Sequence, residues 1–451
     1  MKTQLKSLPA ALGLLLALYG GQAGAMDVAE AYRQALSNDP ASLAADQGLL
    51  AGREKAVQGD ALVRPRVNLQ AGVSRIHNRQ TGELTPPASL LVPEESSGTA
   101  QQASVQLVQP LYDRSAAANR QQLHEQSVLS QTQFTASRQD LALHVAEAYF
   151  GVLVAQETLR VVRAELEAVT HQRDRAQARF EVGQDRITDV QEAQARLDAV
   201  TTREVSAASL LELRRAQFRE NTGAEPDQLA PFAQTFVPRM PEPLALSDWQ
   251  MRGESHSTIV LAKQSELEIA RSELSKHRLA NRPTVDFVAS YGAKHQSGSL
   301  SPLVAPNGDR TGSIGVVLNV PLYAGGALDS RQRESVARLG QAEQGLAAAR
   351  RDVRLRVQEG YLSVTTGVSR IAALEQSLRS AYSALEATSG GREVGTRTAL
   401  DVLDAQQRLF AAELDLVQGR ADYLLGRLRL VAATGELDEA SLRELTPWLV
   451  H

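Results

Sequence analysis

The sequence predicts a mixed α/β membrane protein with four strands and long coiled helices in each chain, on three observations. An export signal opens the chain. A strand, loop and strand module followed by a very long proline-free tract occurs twice, and apolar residues in those tracts recur at coiled-coil spacing.

Lys2 and Lys6 precede the apolar run Leu8 to Tyr19, and Ala23-Gly24-Ala25 offers small residues for cleavage. Residues 1–25 therefore read as a signal peptide, with a mature chain from Met26. The run is short for a membrane-spanning helix, and no second stretch of about 18 apolar residues follows. With no cysteine, the chain has neither disulfides nor the thiol that an N-terminal lipid anchor needs. Membrane attachment then falls to its own strands. Lys and Arg total 48 against 52 Asp and Glu, for a net charge of -4. That balance offers no basic excess to a phosphate backbone, so nucleic acid is not an expected partner.

Two halves share one plan. Phe180-Glu181-Val182-Gly183 through Leu197 aligns with Arg392-Glu393-Val394-Gly395 through Leu409, with Asp189 opposite Asp401, at an offset of 212. Tyr149 meets Tyr361 at the same offset, and Pro110-Leu111-Tyr112 matches Pro321-Leu322-Tyr323 at 211. Landmarks so far apart do not stay in register by chance. The expected divisions are a first repeat over 26–223, a proline-bearing linker over 224–245, a second repeat over 246–435 and a terminal segment over 436–451. Each repeat opens with helix, over about Val28 to Leu62 and Leu246 to Ala280.

Strand signals follow each opening. Val67, Leu69, Ala71 and Val73 alternate with polar residues, as do Val285, Phe287, Ala289 and Tyr291. Val105 and Leu107 lead toward Pro110, and Ile314, Val316, Leu318 and Val320 lead toward Pro321. The alternation suits a transmembrane barrel and equally the half-buried strands of a soluble sheet. Long polar connections favour the barrel: His77 to Gln102 holds Gly82, Pro86, Pro87, Pro93 and Gly98, and His295 to Thr311 holds Pro302, Pro306 and Gly308. Four strands cannot close a barrel, and in lipid each unpaired edge amide or carbonyl costs several kcal/mol. Three chains would supply twelve strands and a channel, whereas two would supply eight, an interior that side chains fill. Pro110 and Pro321 stand where strand gives way to helix, a position that dispenses with the amide hydrogen.

No proline occurs from Asp113 to Val182 or from Leu328 to Ser389. A continuous helix of such length spans on the order of 90 to 100 Å, far beyond a compact core. Leu400, Leu403, Phe410, Leu414, Val417, Ala421, Leu424, Leu428 and Val431 recur at spacings of 3, 4 and 7, and Val357, Tyr361, Val364, Val368 and Ile371 offer a partner row. A soluble, non-transporting periplasmic coiled-coil scaffold explains those helices alone, but not the strand modules or the export signal. Gly183 and Gly395 allow the helix reversals at the ends of the long tracts. Asp401 and Asp404, three residues apart, share a face of the helix that starts after Thr398, where acidic residues also favour a helix N-terminus.

Chemistry is sparsely signalled. The eight histidines have no close metal spacing, and Gly325-Gly326 lacks a nucleotide-binding pattern. No enzyme, cofactor or metal is expected.

Arg179-Phe180-Glu181-Val182-Gly183 through Gln191, and Val394-Gly395 through Gln406, closely resemble the TolC family of outer-membrane efflux proteins. The resemblance covers essentially the whole mature chain. It implies a homotrimer with a 12-stranded outer-membrane barrel, continuous with a 12-helix periplasmic tunnel and ringed by an equatorial band. It implies as partners a periplasmic adaptor (membrane fusion protein), an inner-membrane ABC exporter or alternatively a proton-driven efflux pump, and outer-membrane lipid. Type I protein secretion is the expected role, with multidrug or small-molecule efflux as the alternative. It further assigns Asp401 and Asp404 to the periplasmic entrance, and Arg397 with Thr188 and Asp189 to a latch that ties it. Arg392 departs from the pattern, which has tyrosine there facing the counterpart of Asp189, so an ion pair would replace a hydrogen bond. Gly183 and Gly395 fall at the tip where the adaptor docks.

Overall fold

The computed structural model describes residues 25–79, 95–184, 186–300 and 308–450. The expected signal peptide except Ala25, and Gly82, Pro86, Pro87, Pro93, Pro302 and Pro306 of the two loops, lie outside the described residues. Two compact units form. Of the described residues, one takes 25–45, 135–257 and 352–450, the other those within 46–134 and 258–351, so each draws on both sides of the linker.

The second unit carries the sheet. Strands β1 (Arg66–Arg79), β2 (Glu95–Tyr112), β3 (Thr284–Gln296) and β4 (Gly308–Asn319) pair antiparallel in the order β1-β2-β3-β4. Rows across the sheet alternate in character. Val67, Leu107, Ala289 and Ile314 make one row, and the next holds Asn68, Gln106, Ser290 and Ser313. One face is thus apolar and exposed, through Val67, Leu69, Val105, Tyr291, Ile314 and Leu318, and the other is polar. That is the two-faced sheet the alternation predicts. Among the described residues, no helix is long and apolar enough to cross a membrane.

Sequence periodicity reads each helical opening as one element, and the structure breaks both. Helices α1 (Val28–Asn38) and α2 (Pro40–Ala61) part at Asp39, and α5 (Leu246–His256) and α6 (Thr258–Leu279) part at Ser257. The Asp39 carboxylate accepts the Ser42 amide at 2.6 Å, and Pro40 fills the first helical position, where no amide is needed. In the second unit, Asp60 of α2 accepts from Arg120 at 2.8 Å and lies 3.1 Å from His124, both on α3. The two Pro-Leu-Tyr segments, both where strand gives way to helix, differ from each other. Pro110-Leu111-Tyr112 is no turn but the end of β2, bulged against β3, whereas Pro321-Leu322-Tyr323 lies outside any strand. The difference follows from neighbours: β2 is flanked on both sides, β4 on one.

The long tracts form α3 (Arg114–Glu181) and α7 (Ala327–Glu393), of 68 and 67 residues. Each returns through a shorter helix, α4 (Ile187–Thr222) or α8 (Ala399–Thr434). Within the first unit, α3 and α4 are tied by Glu165–Arg203 at 2.6 Å and Arg163–Glu204 at 3.0 Å. Helix α8 buries more than the expected row. Leu403, Ala421, Leu424 and Leu428 of that row are buried, but Leu400 is exposed. A second row runs Val402, Ala405, Leu409, Ala412, Leu416, Gly419, Tyr423, Gly426 and Leu430, alternating large with small at spacings of 3 and 4. It meets glycines of α7. A Cβ on Gly360 would stand 2.9 Å from the Leu430 Cα, and one on Gly367 3.1 Å from the Tyr423 ring. In return, Gly419 and Gly426 receive Leu374 and Ser363.

The linker is ordered by side chains that donate to its backbone. Tyr149 is fully buried, and its hydroxyl donates to the carbonyls of Met26 at 2.9 Å and Ala230 at 3.0 Å. Its repeat partner Tyr361 donates to the Leu244 carbonyl, so equivalent tyrosines pin the two ends of the linker. Between them, the Tyr423 hydroxyl bridges the Arg239 amide and carbonyl, each at 2.7 Å, and the Trp448 indole donates to Val237 at 2.8 Å. The C-terminal helix α9 (Glu439–Arg443) precedes that tryptophan, and Val450 closes the segment by donating to Pro231.

Candidate functional site

The residues predicted for the entrance, the latch and the hairpin turns lie at the two reversals of the helical hairpins, within the first unit, whereas the junction prolines Pro110 and Pro321 belong to the second. Helix α3 ends at Glu181, and Gly183 takes φ 75°, which places its amide on Phe180 and that of Gln184 on Arg179. Helix α7 ends in the same manner through Gly395 at φ 79°, with Gly395 bonded to Arg392 and Thr396 to Gly391. Only a residue free of Cβ repulsion adopts this left-handed cap without strain, which accounts for glycine at both points.

The entry into α8 is a capping box. The Asp401 carboxylate accepts the Thr398 amide at 2.8 Å and its hydroxyl at 2.9 Å, while the Thr398 hydroxyl accepts the Asp401 amide at 3.2 Å. These bonds to the Thr398 amide and hydroxyl hold the Asp401 carboxyl below its usual range, assisted by the charges of Arg397 and Arg408. Asp404 has no hydrogen bond or ion pair to any described residue. Between them, Val402 and Leu403 are buried. Leu403 packs against Val162 and Val169 of α3 and Val200 of α4. That apolar anchorage sets the rotation of α8 and turns Asp401 and Asp404 away from the packed side, about 60° apart around the axis.

Arg397 folds across the last turn of α7, where a Cβ on Gly391 would lie 2.8 Å from its Cγ. Arg392 reaches from α7 to α3 and donates to the buried Gln172 at 3.1 Å. Thr188 is exposed, and Asp189, in the first turn of α4, accepts the Arg186 amide at 3.4 Å. Pro110 stands two residues before the end of β2, and Pro321 between β4 and α7. Sequence reading missed Gln172, which carries no signal among the many glutamines of these helices. It also missed the Thr398–Asp401 box, although Thr-x-x-Asp before an apolar row is its signature. Among the described residues, no group of three or more His, Asp or Glu could hold a metal ion.

Comparison with known proteins decides the family. The model for the outer membrane efflux protein family matches residues 31–224 and 255–436. The chain belongs to the outer membrane efflux protein family. It is 32% identical over 449 residues to the outer membrane protein TolC of Vibrio cholerae, covering 98% of each chain. It is 29% identical to the alkaline protease secretion protein AprF of Pseudomonas aeruginosa, covering 95% of this chain and 89% of that one. Among solved structures, the CmeC outer membrane channel of Campylobacter jejuni superposes with a TM-score of 0.78 at 14% identity, covering 98% of this chain and 97% of that one. The outer membrane protein VceC of Vibrio cholerae gives 0.74 at 20%, covering 90% and 96%. Both likenesses speak to fold. As an outer membrane efflux protein, the chain is an outer-membrane export-channel subunit rather than an enzyme.

Proposed function

We propose that three copies of this chain close a single channel-tunnel that conducts secreted protein from an inner-membrane ABC exporter, through a periplasmic adaptor, to the exterior. The carrying observation is the four-stranded sheet, with one apolar exposed face and two unpaired edges. In lipid those edges demand partners, and three such sheets supply the twelve strands of a closed wall. The long hairpins of the two repeats, 26–223 and 246–435, form the periplasmic tunnel, and the linker with the segment 436–451 forms its equatorial band. Protein cargo is supported by relatives named for it: AprF, and the proteases secretion protein PrtF of Dickeya chrysanthemi at 26% identity over 440 residues. Small-molecule efflux beside a proton-driven pump is the second reading. The cobalt-zinc-cadmium resistance protein CzcC of Cupriavidus metallidurans, 25% identical over 63% of this chain, favours it more weakly.

At the hairpin tips, Asp401 and Asp404 of three chains form the entrance ring, whose focused negative field favours cations. Arg397, Arg392, Thr188 and Asp189 belong to the latch, and the turns at Gly183 and Gly395 receive the adaptor. Deleting the gene and comparing the secreted proteome with drug sensitivity tests the cargo. Loss of a large secreted protein with unchanged drug sensitivity supports the first reading, and the converse supports the second. Purified protein that never conducts in a planar bilayer would return the chain to the coiled-coil scaffold class.

A further inference from the structure

Charge is spread unevenly over the apolar face of the sheet. That face carries the odd-numbered residues of β1 and their row partners, and over most of its height no charged side chain interrupts it. The exceptions lie at one end, where β1 leads to β2 and β3 to β4. Arg75, His77 and Arg79 of β1, His295 of β3 and Arg310 of β4 are all exposed there. Among the described residues of this face Glu95 is the one carboxylate, and it accepts from Arg79 Nε at 2.7 Å. Arg75, His77, His295 and Arg310 have no hydrogen bond or ion pair to any described residue. On the opposite face of the same end, Lys294 stands across from Asp309.

Both limits of the uncharged band step across the sheet together. Val67 shares a row with Ile314, four residues before Leu318, and Arg310 shares a row with Ala71, four residues before Arg75. Four residues over three strand spacings amount to about 13 Å along the strands against about 14 Å across them, a slope of about 40 to 45°. Strands of outer-membrane barrels tilt by that much, and at that tilt Arg75, His295 and Arg310 come level, as do Val67, Val285 and Leu318. The two levels stand about 20 Å apart, close to the roughly 25 Å of apolar wall in such barrels. Helices α2, α3, α6 and α7 join the sheet at its other end, so in the channel described above the charged end is the outer one.

We propose that Arg75, His77, Arg79, His295 and Arg310 form a belt that binds the phosphate groups of anionic lipid headgroups in the outer leaflet. This rests on the shared barrel above and adds a specific lipid contact on the chain's own surface. Three basic side chains on alternate residues of one strand, about 7 Å apart, repel one another unless anions lie between them. A guanidinium engages phosphate oxygens through paired N–H donors, and an imidazole adds another. His295 and Arg310 stand diagonally on adjacent strands at about 7 to 8 Å, so both can donate to one phosphate. Between this pair and the β1 group, β2 offers the neutral donors Thr99 and Gln101. A rim that served only to meet water would need no preferred sign, yet here three arginines face one glutamate that is already paired.

Native mass spectrometry of the purified, detergent-solubilised protein tests this, with titrations of lipid A bearing two phosphates, of the same lipid stripped of phosphate, and of inorganic phosphate. The phosphorylated lipid is expected to bind about tenfold or more tightly than the stripped one, and inorganic phosphate at equal concentration is expected not to displace it. Arg75→Gln with Arg310→Gln should weaken the phosphorylated lipid about tenfold and leave the stripped lipid unaffected. His77→Gln with His295→Gln, expected to shift in the same direction, guards against misassembly of the first pair. Lys294→Gln, on the opposite face, should bind as the parent does. Equal affinity for the two lipids, displacement by inorganic phosphate, or an equal loss in Lys294→Gln overturns the belt, and leaves the channel standing if the same parent protein conducts in planar bilayers. Parent protein that neither conducts nor retains either lipid overturns both.

Discussion

Replacing Tyr149 with phenylalanine removes one oxygen from the most enclosed tyrosine of the linker region. The Met26 carbonyl keeps the Ala230 amide at 3.0 Å, but the Ala230 carbonyl receives the Tyr149 hydroxyl at 3.0 Å in a buried setting. Stranding a buried acceptor costs about 1 to 3 kcal/mol. A loss near 2 kcal/mol changes the ratio of folded to unfolded linker by about 30-fold. The repeat supplies its own control. Tyr361 makes the equivalent bond to Leu244, but Leu244 is 65% exposed, so water replaces the donor and Tyr361→Phe should cost no more than about 0.5 kcal/mol. Urea unfolding of the detergent-solubilised protein, followed by tryptophan fluorescence, measures both. Trp249 and Trp448, the only two tryptophans, each donate an indole hydrogen bond to the linker backbone. Equal losses in the two variants, or none in Tyr149→Phe, would refute the assignment of the linker's order to this buried bond.

Burial also raises the Tyr149 phenol above its ordinary value, so its neutral form favours the folded chain. That stabilisation is complete below about pH 10, the unfolded value, and fades as pH rises beyond it. Parent protein should therefore lose stability more steeply than Tyr149→Phe between about pH 10 and 11.5 in urea titrations. In α7, Gly360→Ala meets Leu430 backbone and should cost about 1 to 3 kcal/mol more than Gly345→Ala, which has nothing within 4 Å and gains the same helical propensity. Thermal unfolding that ranks the two equally would contradict the close approach of α7 and α8. Thr398→Ala removes the hydroxyl that caps α8, and hydrogen exchange over the first turn of α8 should speed up while the core of α8 stays protected. Arg397→Glu sets a negative charge beside Asp401 and should raise the open-channel fraction in planar bilayers. Conductance equal to the parent's would dismiss the latch.

What the sequence makes legible is what depends on periodicity. The absence of proline forecasts both long helices to within a few residues, and alternation locates all four strands, because one face of each must differ from the other. The helix break at Asp39 was readable, since Asn38-Asp39-Pro40 carries a cap and a helix-starting proline within an otherwise helical pattern. The second α8 row was harder to see, because four of its nine members are alanine or glycine and signal nothing by hydropathy. Long-range polar pairs such as Arg392 with Gln172, or Tyr149 with Ala230, leave no local trace. They depend on which helices lie side by side, and no spacing along the chain encodes that.

The interleaving of glycine with leucine and tyrosine between α7 and α8 limits how the second hairpin can move. Sliding one helix along the other would drive the Tyr423 ring or the Leu430 side chain against α7 backbone that has no slot for it. The pair therefore behaves as a single rigid bar. Separating that bar from the first hairpin would uncover Leu403 from Val162, Val169 and Val200 and strand the buried Gln172 that Arg392 meets, whereas the exposed pair of Arg429 with Glu147 exchanges for water at little cost.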